Sequence, residues 1–147
     1  MREIFYEAKK TGYKFQNFVD IGSGKGKACF WAHTKQIFDN IIGIEFSQQL
    51  IEISNKNKEV MKSHNVKFIN IDASHFKLPD QSNLIFMFNP FDNIVLENFL
   101  SNNISHFQKY NSVIAYANDV QRKSLTNFGF ETIFRNSNRK ISLYQLT

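Results

Sequence analysis

The segment 18–27 reads FVDIGSGKGK, and it decides the fold class of this chain. The run Asn17–Ile21 is largely apolar and predicts a short buried strand. Three glycines follow at every second position: Gly22, Gly24 and Gly26. Glycine has no Cβ atom, so a strand that runs through glycines into a helix lets the backbone approach a ligand closely. The segment is therefore typical of a nucleotide-binding turn.

The glycine spacing separates the possible kinds of turn. A dinucleotide fingerprint is G-x-G-x-x-G, whereas here Lys27 stands where the third glycine is needed. The P-loop pattern is also absent, so we expect Lys25 and Lys27 to be surface residues. The pattern D-x-G-x-G-x-G resembles the first motif of class I S-adenosylmethionine (SAM) dependent methyltransferases. The resemblance implies that SAM is the cofactor and that the turn contacts it through Asp20, Gly22, Ser23, Gly24 and Gly26.

The remaining sequence alternates between predicted strands and helices. Apolar runs predict strands at 17–21, 40–45, 66–71, 84–88, 112–117, 131–134 and 140–146. Helical periodicity and capping residues predict helices at 26–36, 48–64, 92–109 and 119–127, with a further helix over Met1–Lys10. Near-continuous apolar strands are typical of a parallel sheet that is covered on both faces.

The end of the chain predicts an antiparallel pair. Arg135–Arg139 is too short to contain a crossover helix, so the last two strands must form a hairpin. The predicted fold class is α/β: a Rossmann-like, doubly wound sheet of seven mostly parallel strands with a C-terminal antiparallel hairpin and helices on both faces. The methyltransferase family has the same architecture. We expect one domain over residues 1–147, with residues 1–16 as a short N-terminal helical segment.

Ligand contacts are expected at the carboxyl ends of the strands. Glu45 ends the second strand about 20 residues beyond the glycine turn, where an acidic side chain can accept hydrogen bonds from both ribose hydroxyls. Phe46 follows it and is expected to contact the adenine face. Asp72 and Ala73 follow the third strand, and the resemblance implies that they bind the adenine ring; an Asp at this point could equally cap a turn.

The fourth strand ends in Asn89-Pro90-Phe91, which resembles the fourth motif of amino-methylating members of the family. In that motif the polar side chain and a neighbouring carbonyl accept hydrogen bonds from the target nitrogen, and the aromatic ring stacks on a flat substrate. One proline of the motif is missing here, and a shorter Asn-x-Phe arrangement occurs in lysine-methylating relatives. The resemblance implies that Asn89, Pro90 and Phe91 present the acceptor and that Asn89 also borders the cofactor.

Composition limits the remaining classes. The net charge is +5, but the lysines are scattered, so charge alone does not predict a nucleic-acid surface. The single cysteine, Cys29, excludes an internal disulfide, and no apolar run is long enough for a membrane span. We therefore expect a cytoplasmic protein with no membrane partner. The four histidines have no metal-ligand spacing, although His75 could line the cofactor pocket, and no metal is expected.

The sequence predicts a SAM-dependent methyltransferase that acts on a nitrogen of a protein lysine, a nucleobase amine or a small molecule. One alternative is a degenerate module that binds SAM and acts with a partner. A NAD-dependent oxidoreductase is disfavoured by the glycine spacing. Only about sixteen residues precede the first strand, whereas family members carry an N-terminal extension over the cofactor. We therefore expect an open site, with a homo-oligomer or another partner as the possible source of a lid.

Overall fold

The computed structural model describes all 147 residues, Met1–Thr147. The seven strands are β1 (Asn17–Ile21), β2 (Asn40–Glu45), β3 (Val66–Asn70), β4 (Asn83–Phe88), β5 (Val113–Ala117), β6 (Phe130–Asn136) and β7 (Ile141–Leu146). The five α-helices are α1 (Arg2–Lys10), α2 (Lys27–His33), α3 (Gln48–Met61), α4 (Asn93–Lys109) and α5 (Arg122–Asn127). A 3₁₀ turn, Ala73–His75, follows β3.

All seven strands belong to one sheet in the order β3-β2-β1-β4-β5-β7-β6. The first five strands are parallel, β7 is antiparallel to β5, and β6 is antiparallel to β7. The predicted fold class is confirmed, including the C-terminal hairpin. The chain order reverses between β1 and β4, which lie side by side at the centre of the sheet. Their carboxyl ends therefore form the topological switch point, where ligands bind in such sheets.

The core has two parts, one on each face of the sheet. Phe18 faces α1 and α2 in a cluster that contains Ile4 and Cys29. The next residue, Val19, faces the opposite side, where α4 supplies Phe99. Successive strand residues point to opposite faces, so a strand that is buried throughout needs helices on both sides. This requirement explains why β1 and β5 are buried at every position.

Helix α1 is joined to the C-terminal hairpin. Ile4 is fully buried against the sheet. The Glu3 carboxylate accepts hydrogen bonds from Asn136 Nδ2 at 2.7 Å and from Arg139 Nη1 at 2.9 Å. The first helix and the last two strands thus stabilise one another although they are far apart in sequence.

Some element boundaries differ from the prediction. Helix α3 ends at Met61 because Lys62 adopts a left-handed conformation with φ +50°. Val60 and Met61, in the last turn of α3, are exposed although both are apolar. Helix α5 begins at Arg122 rather than Asp119. The Asp119 carboxylate is buried before the helix and accepts a hydrogen bond from Arg135 Nε at 3.0 Å. No helix of the protein combines the length and apolarity that crossing a bilayer requires.

Candidate functional site

A cavity of about 290 Å³ lies at the carboxyl ends of β1, β2, β3 and β4. Because these strands are parallel, their carboxyl ends lie at the same edge of the sheet, and residues distant in sequence come together there. The cavity is lined by Gly22, Ile44, Glu45, Phe46, Ile71, Asp72, Ala73, Pro90, Phe91 and Val95. Seven of these ten were candidate site residues from the sequence. Ile44, Ile71 and Val95 were not, because an apolar lining residue looks like any core residue in a sequence.

A second cavity of about 350 Å³ meets the first at Gly22, which lines both. Its walls are Met1, Asp20, Gly22, Ser23, Lys27, Ala28, Trp31, Phe86 and Phe88. Asp20 and Ser23 were predicted site residues, whereas the aromatic wall of Trp31, Phe86 and Phe88 was not. The two cavities thus share the first glycine of the turn as a lining residue, and together they are called the crevice.

The glycines of the turn serve different physical purposes. Gly22 has φ +76°, and a Cβ atom there would lie 2.4 Å from the Pro90 Cβ atom. Gly24 has φ +54° with open space around it, so only its backbone conformation requires glycine. Gly26 lines neither cavity; a Cβ atom there would lie 2.5 Å from the Phe68 ring. The third glycine is therefore explained by packing within the fold.

The Glu45 carboxylate connects the glycine turn to helix α3. Its Oε2 atom accepts a hydrogen bond from the Gly24 N–H at 3.0 Å, and its Oε1 atom accepts one from the Ser47 N–H at 3.0 Å. Each carboxylate oxygen has two lone pairs, so each retains the capacity to accept one further bond. The predicted ribose contact is compatible with this arrangement. Beside it, the Phe46 side chain is 76% exposed, which leaves its ring face open to a ligand.

Asp72 caps the 3₁₀ turn at the end of β3. Its Oδ1 atom accepts hydrogen bonds from the Ser74 backbone N–H at 2.8 Å and from Ser74 Oγ at 2.7 Å. These bonds lower the pKa of Asp72 below its ordinary value. The Oδ2 atom makes no hydrogen bond in the structure, so capping the turn leaves one oxygen for a ligand. His75, at the end of the turn, is exposed and lines neither cavity.

Asp20 is a buried carboxyl group on the wall of the second cavity. Burial raises its pKa to about 7, an effect opposed by the Cys29 thiol, whose Sγ atom lies 3.6 Å from Asp20 Oδ2. The negative charge of Glu45 raises the pKa of Asp20 further. The Cys29 thiol is itself buried, which raises its pKa well above the ordinary value. Cys29 therefore remains a protonated packing residue.

The side chain of Asn89 lies outside both cavities. It turns towards β5, where its Oδ1 atom accepts a hydrogen bond from the Tyr116 hydroxyl at 2.9 Å. Its neighbours do reach the crevice, because Phe88 lines the second cavity and Pro90 and Phe91 line the first. Sequence reasoning did not find Tyr116, which carries no motif and depends on the pairing of β4 with β5.

Three carboxyl groups line the crevice, together with the exposed Lys27. None of Asp20, Glu45 and Asp72 forms a salt bridge; the four salt bridges of the protein lie elsewhere. Uncompensated carboxylates beside a cavity favour a ligand that carries positive charge. SAM carries a sulfonium and an ammonium group, so the residues present fit this cofactor. No group of three His, Cys, Asp or Glu side chains has a geometry that could hold a metal ion.

A family model described as "Methyltransferase domain" matches residues 14–140. The chain belongs to this methyltransferase family. The match covers both motif regions and strands β1 to β6, whereas β7 lies beyond it, so family and observed fold agree. It confirms the predicted SAM-dependent methyltransferase at the level of the family and assigns SAM as the cofactor. No curated protein matches the sequence of the chain.

Solved structures similar to this chain include methyltransferases of several kinds. The glycopeptide N-methyltransferase MtfA, complexed with S-adenosyl-L-homocysteine (SAH), has a TM-score of 0.74 at 12% identity over 99% of this chain and 89% of its own. The methyltransferase domain of bacterial CtHen1 has a TM-score of 0.69 at 12% identity, with coverages of 99% and 97%. A ribosomal protein L11 methylase from Lactobacillus delbrueckii subsp. bulgaricus has a TM-score of 0.69 at 13% identity, with coverages of 98% and 77%. These identities support the shared fold and leave the acceptor of this methyltransferase open.

Proposed function

We propose that this methyltransferase binds SAM along the two joined cavities and transfers its methyl group to a nitrogen atom. The observation that carries the cofactor site is the set of unpaired carboxylates on both sides of Gly22. Glu45 and Asp72 lie in the first cavity, beside the exposed ring of Phe46, and suit the adenosine half. Asp20 lies in the second cavity and suits the positively charged methionine half.

The glycine turn itself argues against a dinucleotide. The backbone N–H groups of Gly22 and Ser23 donate to the Ile44 carbonyl, at 2.9 and 2.8 Å. The Gly24 N–H donates to Glu45, and the Gly26 N–H donates to the Ser23 carbonyl at 2.9 Å. A pyrophosphate needs backbone donors that point at the ligand. These four are engaged within the protein, which supports SAM rather than NAD.

The nitrogen acceptor is supported by Asn89-Pro90-Phe91 at the edge of the crevice. When bound, SAM would supply an electrophilic methyl group to the lone pair of an amine, with SAH as the leaving group. The acceptor for the amine is then a backbone carbonyl of this segment, since Asn89 Oδ1 is turned towards β5 and already accepts the Tyr116 hydroxyl. Accepting this hydrogen bond aims the lone pair of the amine. Phe91 lines the first cavity and provides an apolar surface for a flat acceptor. Correct orientation of two reactants contributes about 7–11 kcal/mol at most to such a reaction. A protein lysine, a nucleobase amine and a small molecule all carry a suitable nitrogen.

Calorimetric titration with SAM, SAH and NAD tests the cofactor site. We expect saturable binding of SAM and SAH and no binding of NAD. Glu45→Gln replaces a charged acceptor, and hydrogen bonds to charged groups contribute about 1.5–3 kcal/mol. The SAH dissociation constant should therefore rise at least tenfold. Glu52→Gln, on the exposed surface of α3, is the matched control and should bind SAH as the wild type does. Binding of NAD in preference to SAH would refute the proposed site.

Methyl transfer is tested separately with tritiated SAM and a fractionated cell extract. Recovery of the label in an N-methylated amino acid or nucleobase, identified against standards after hydrolysis of the labelled protein or RNA, supports a nitrogen acceptor. A protein that binds SAH but labels no fraction would instead be the binding module that acts with a partner. An assembled oligomer or an added partner that closes the crevice would then be needed for turnover.

A further inference from the structure

We propose that Tyr116 is a positioning residue that fixes the side chain and the backbone of Asn89. This inference rests on the proposed function, because it concerns the segment that we expect to present the acceptor. Tyr116 lies on β5, is 1% exposed, and belongs to the core cluster on the α4 face. No sequence motif points to it. Within that cluster, only the Tyr116 hydroxyl forms a hydrogen bond with Asn89.

The direction of the hydrogen bond is set by a second donor. The Gln121 backbone N–H donates to the Tyr116 hydroxyl oxygen at 3.2 Å. The hydroxyl proton is then free to be donated to Asn89 Oδ1 at 2.9 Å. Burial raises the pKa of Tyr116 above its ordinary value, so the proton is retained at neutral pH. A tyrosine hydroxyl has one proton, so this chain of bonds selects the amide orientation with Oδ1 towards β5.

The backbone of Asn89 also needs support. Asn89 has φ +41°, in the left-handed region that few residues other than glycine adopt. It also precedes Pro90, and the residue before a proline is normally extended. Such a conformation persists only where the surrounding structure holds it. The Tyr116 bond is the side-chain contact that does so, and it thereby places Phe88 on the second cavity and Pro90 on the first.

Tyr144 provides a matched control on the neighbouring strand β7. It belongs to the same core cluster and is also 1% exposed, but its hydroxyl has no hydrogen-bond partner. Both Tyr116→Phe and Tyr144→Phe remove one buried hydroxyl and keep the ring. A general effect on packing should appear in both variants, whereas a positioning effect should appear only in Tyr116→Phe.

The first measurement needs no substrate. In ¹⁵N-labelled protein without ligand, the side-chain amide signal of Asn89 is identified by its loss in Asn89→Ala. We expect Tyr116→Phe to shift this signal and Tyr144→Phe to leave it in place. An unshifted signal in Tyr116→Phe would overturn the proposal, whether or not the protein is an active methyltransferase.

The second measurement compares turnover with cofactor affinity. With tritiated SAM and cell extract, Tyr116→Phe should label at least tenfold more slowly than Tyr144→Phe, while SAH dissociation constants stay within twofold of wild type. Equal labelling rates in the two variants would overturn the positioning role. A loss of SAH affinity as large as the loss of rate would also overturn it, since the damage would then lie in the cofactor site. No labelling by wild type would count against the proposed function, and the amide signal would still decide whether Tyr116 holds Asn89.

Discussion

The contact between Gly22 and Pro90 yields a quantitative test of the site's geometry. In Gly22→Ala the new Cβ atom would lie 2.4 Å from the Pro90 Cβ atom, whereas carbon atoms normally approach to about 3.5–4.0 Å. Overpacking of this kind costs about 1–3 kcal/mol. The φ of +76° adds about 1–2 kcal/mol for a residue with a side chain. The expected loss of unfolding free energy is therefore about 2–5 kcal/mol.

Two further variants separate the packing cost from the backbone cost of Gly22→Ala. Gly12 has nearly the same φ, +75°, with nothing within 4 Å of a Cβ atom, so Gly12→Ala should cost only the backbone term, about 1–2 kcal/mol. Pro90→Gly removes the opposing Cβ atom. In a double-mutant cycle, Gly22→Ala and Pro90→Gly should show a favourable coupling of about 1–3 kcal/mol.

Urea unfolding followed by circular dichroism measures these differences, since the midpoint reports stability when the slope is unchanged. At about 2.1 cal/mol/K per residue of unfolding entropy, Gly22→Ala should also lower the melting temperature by roughly 6–16 °C. If Gly22→Ala is no less stable than Gly12→Ala, the Gly22–Pro90 contact does not constrain the turn. A coupling below about 0.5 kcal/mol would show that Pro90 moves aside without cost.

Three further predictions concern stability. Asp20 has a folded-state pKa of about 7, above its ordinary value of 3.8, so its ionisation destabilises the folded protein increasingly as the pH rises from 4 to 7. Asp20→Asn should remove this loss, and urea unfolding at pH 5 and pH 8 would measure it. Burial lowers the pKa of His106 to about 4, so protonation lowers the stability of the wild type as the pH falls from 6.5 to 4. His106→Gln should remove this loss. The stability of His106→Gln relative to wild type should therefore change with pH in the opposite direction to that of Asp20→Asn. Equal pH profiles in the two variants would contradict both assignments. Ile4→Ala, which truncates a fully buried side chain of α1, should cost about 2–5 kcal/mol, and a loss below about 1 kcal/mol would show that α1 is loosely packed.

The sheet was predictable because its determinants are local. Ile41–Ile44 and Leu84–Phe88 are apolar on both sides, which indicates burial on both faces, and the short loop before β7 requires a hairpin. The position of Glu45 was predictable as well, because parallel strands of similar length end at one edge of the sheet and Glu45 ends β2. Its contact with the Gly24 N–H follows from the pairing of β1 with β2.

What sequence reasoning missed depends on contacts between elements. Trp31 reaches the second cavity only because α2 packs beside α1, and no local pattern marks it. Tyr116 meets Asn89 because β4 pairs with β5 in one register, with Met87 opposite Tyr116. Helix α3 reaches the core mainly through Ile51, and its apolar residues Val60 and Met61 are exposed, which the sequence of the helix alone does not show.

The positions of the two chain ends have a practical consequence for protein production. Met1 lines the second cavity, so any segment joined ahead of it starts at the mouth of the crevice. Because β7 runs antiparallel to β5, Thr147 emerges at the opposite edge of the sheet, near Asn111 and Ser112. Affinity tags and surface-immobilisation anchors should therefore be attached after Thr147, where they leave the crevice accessible to ligands.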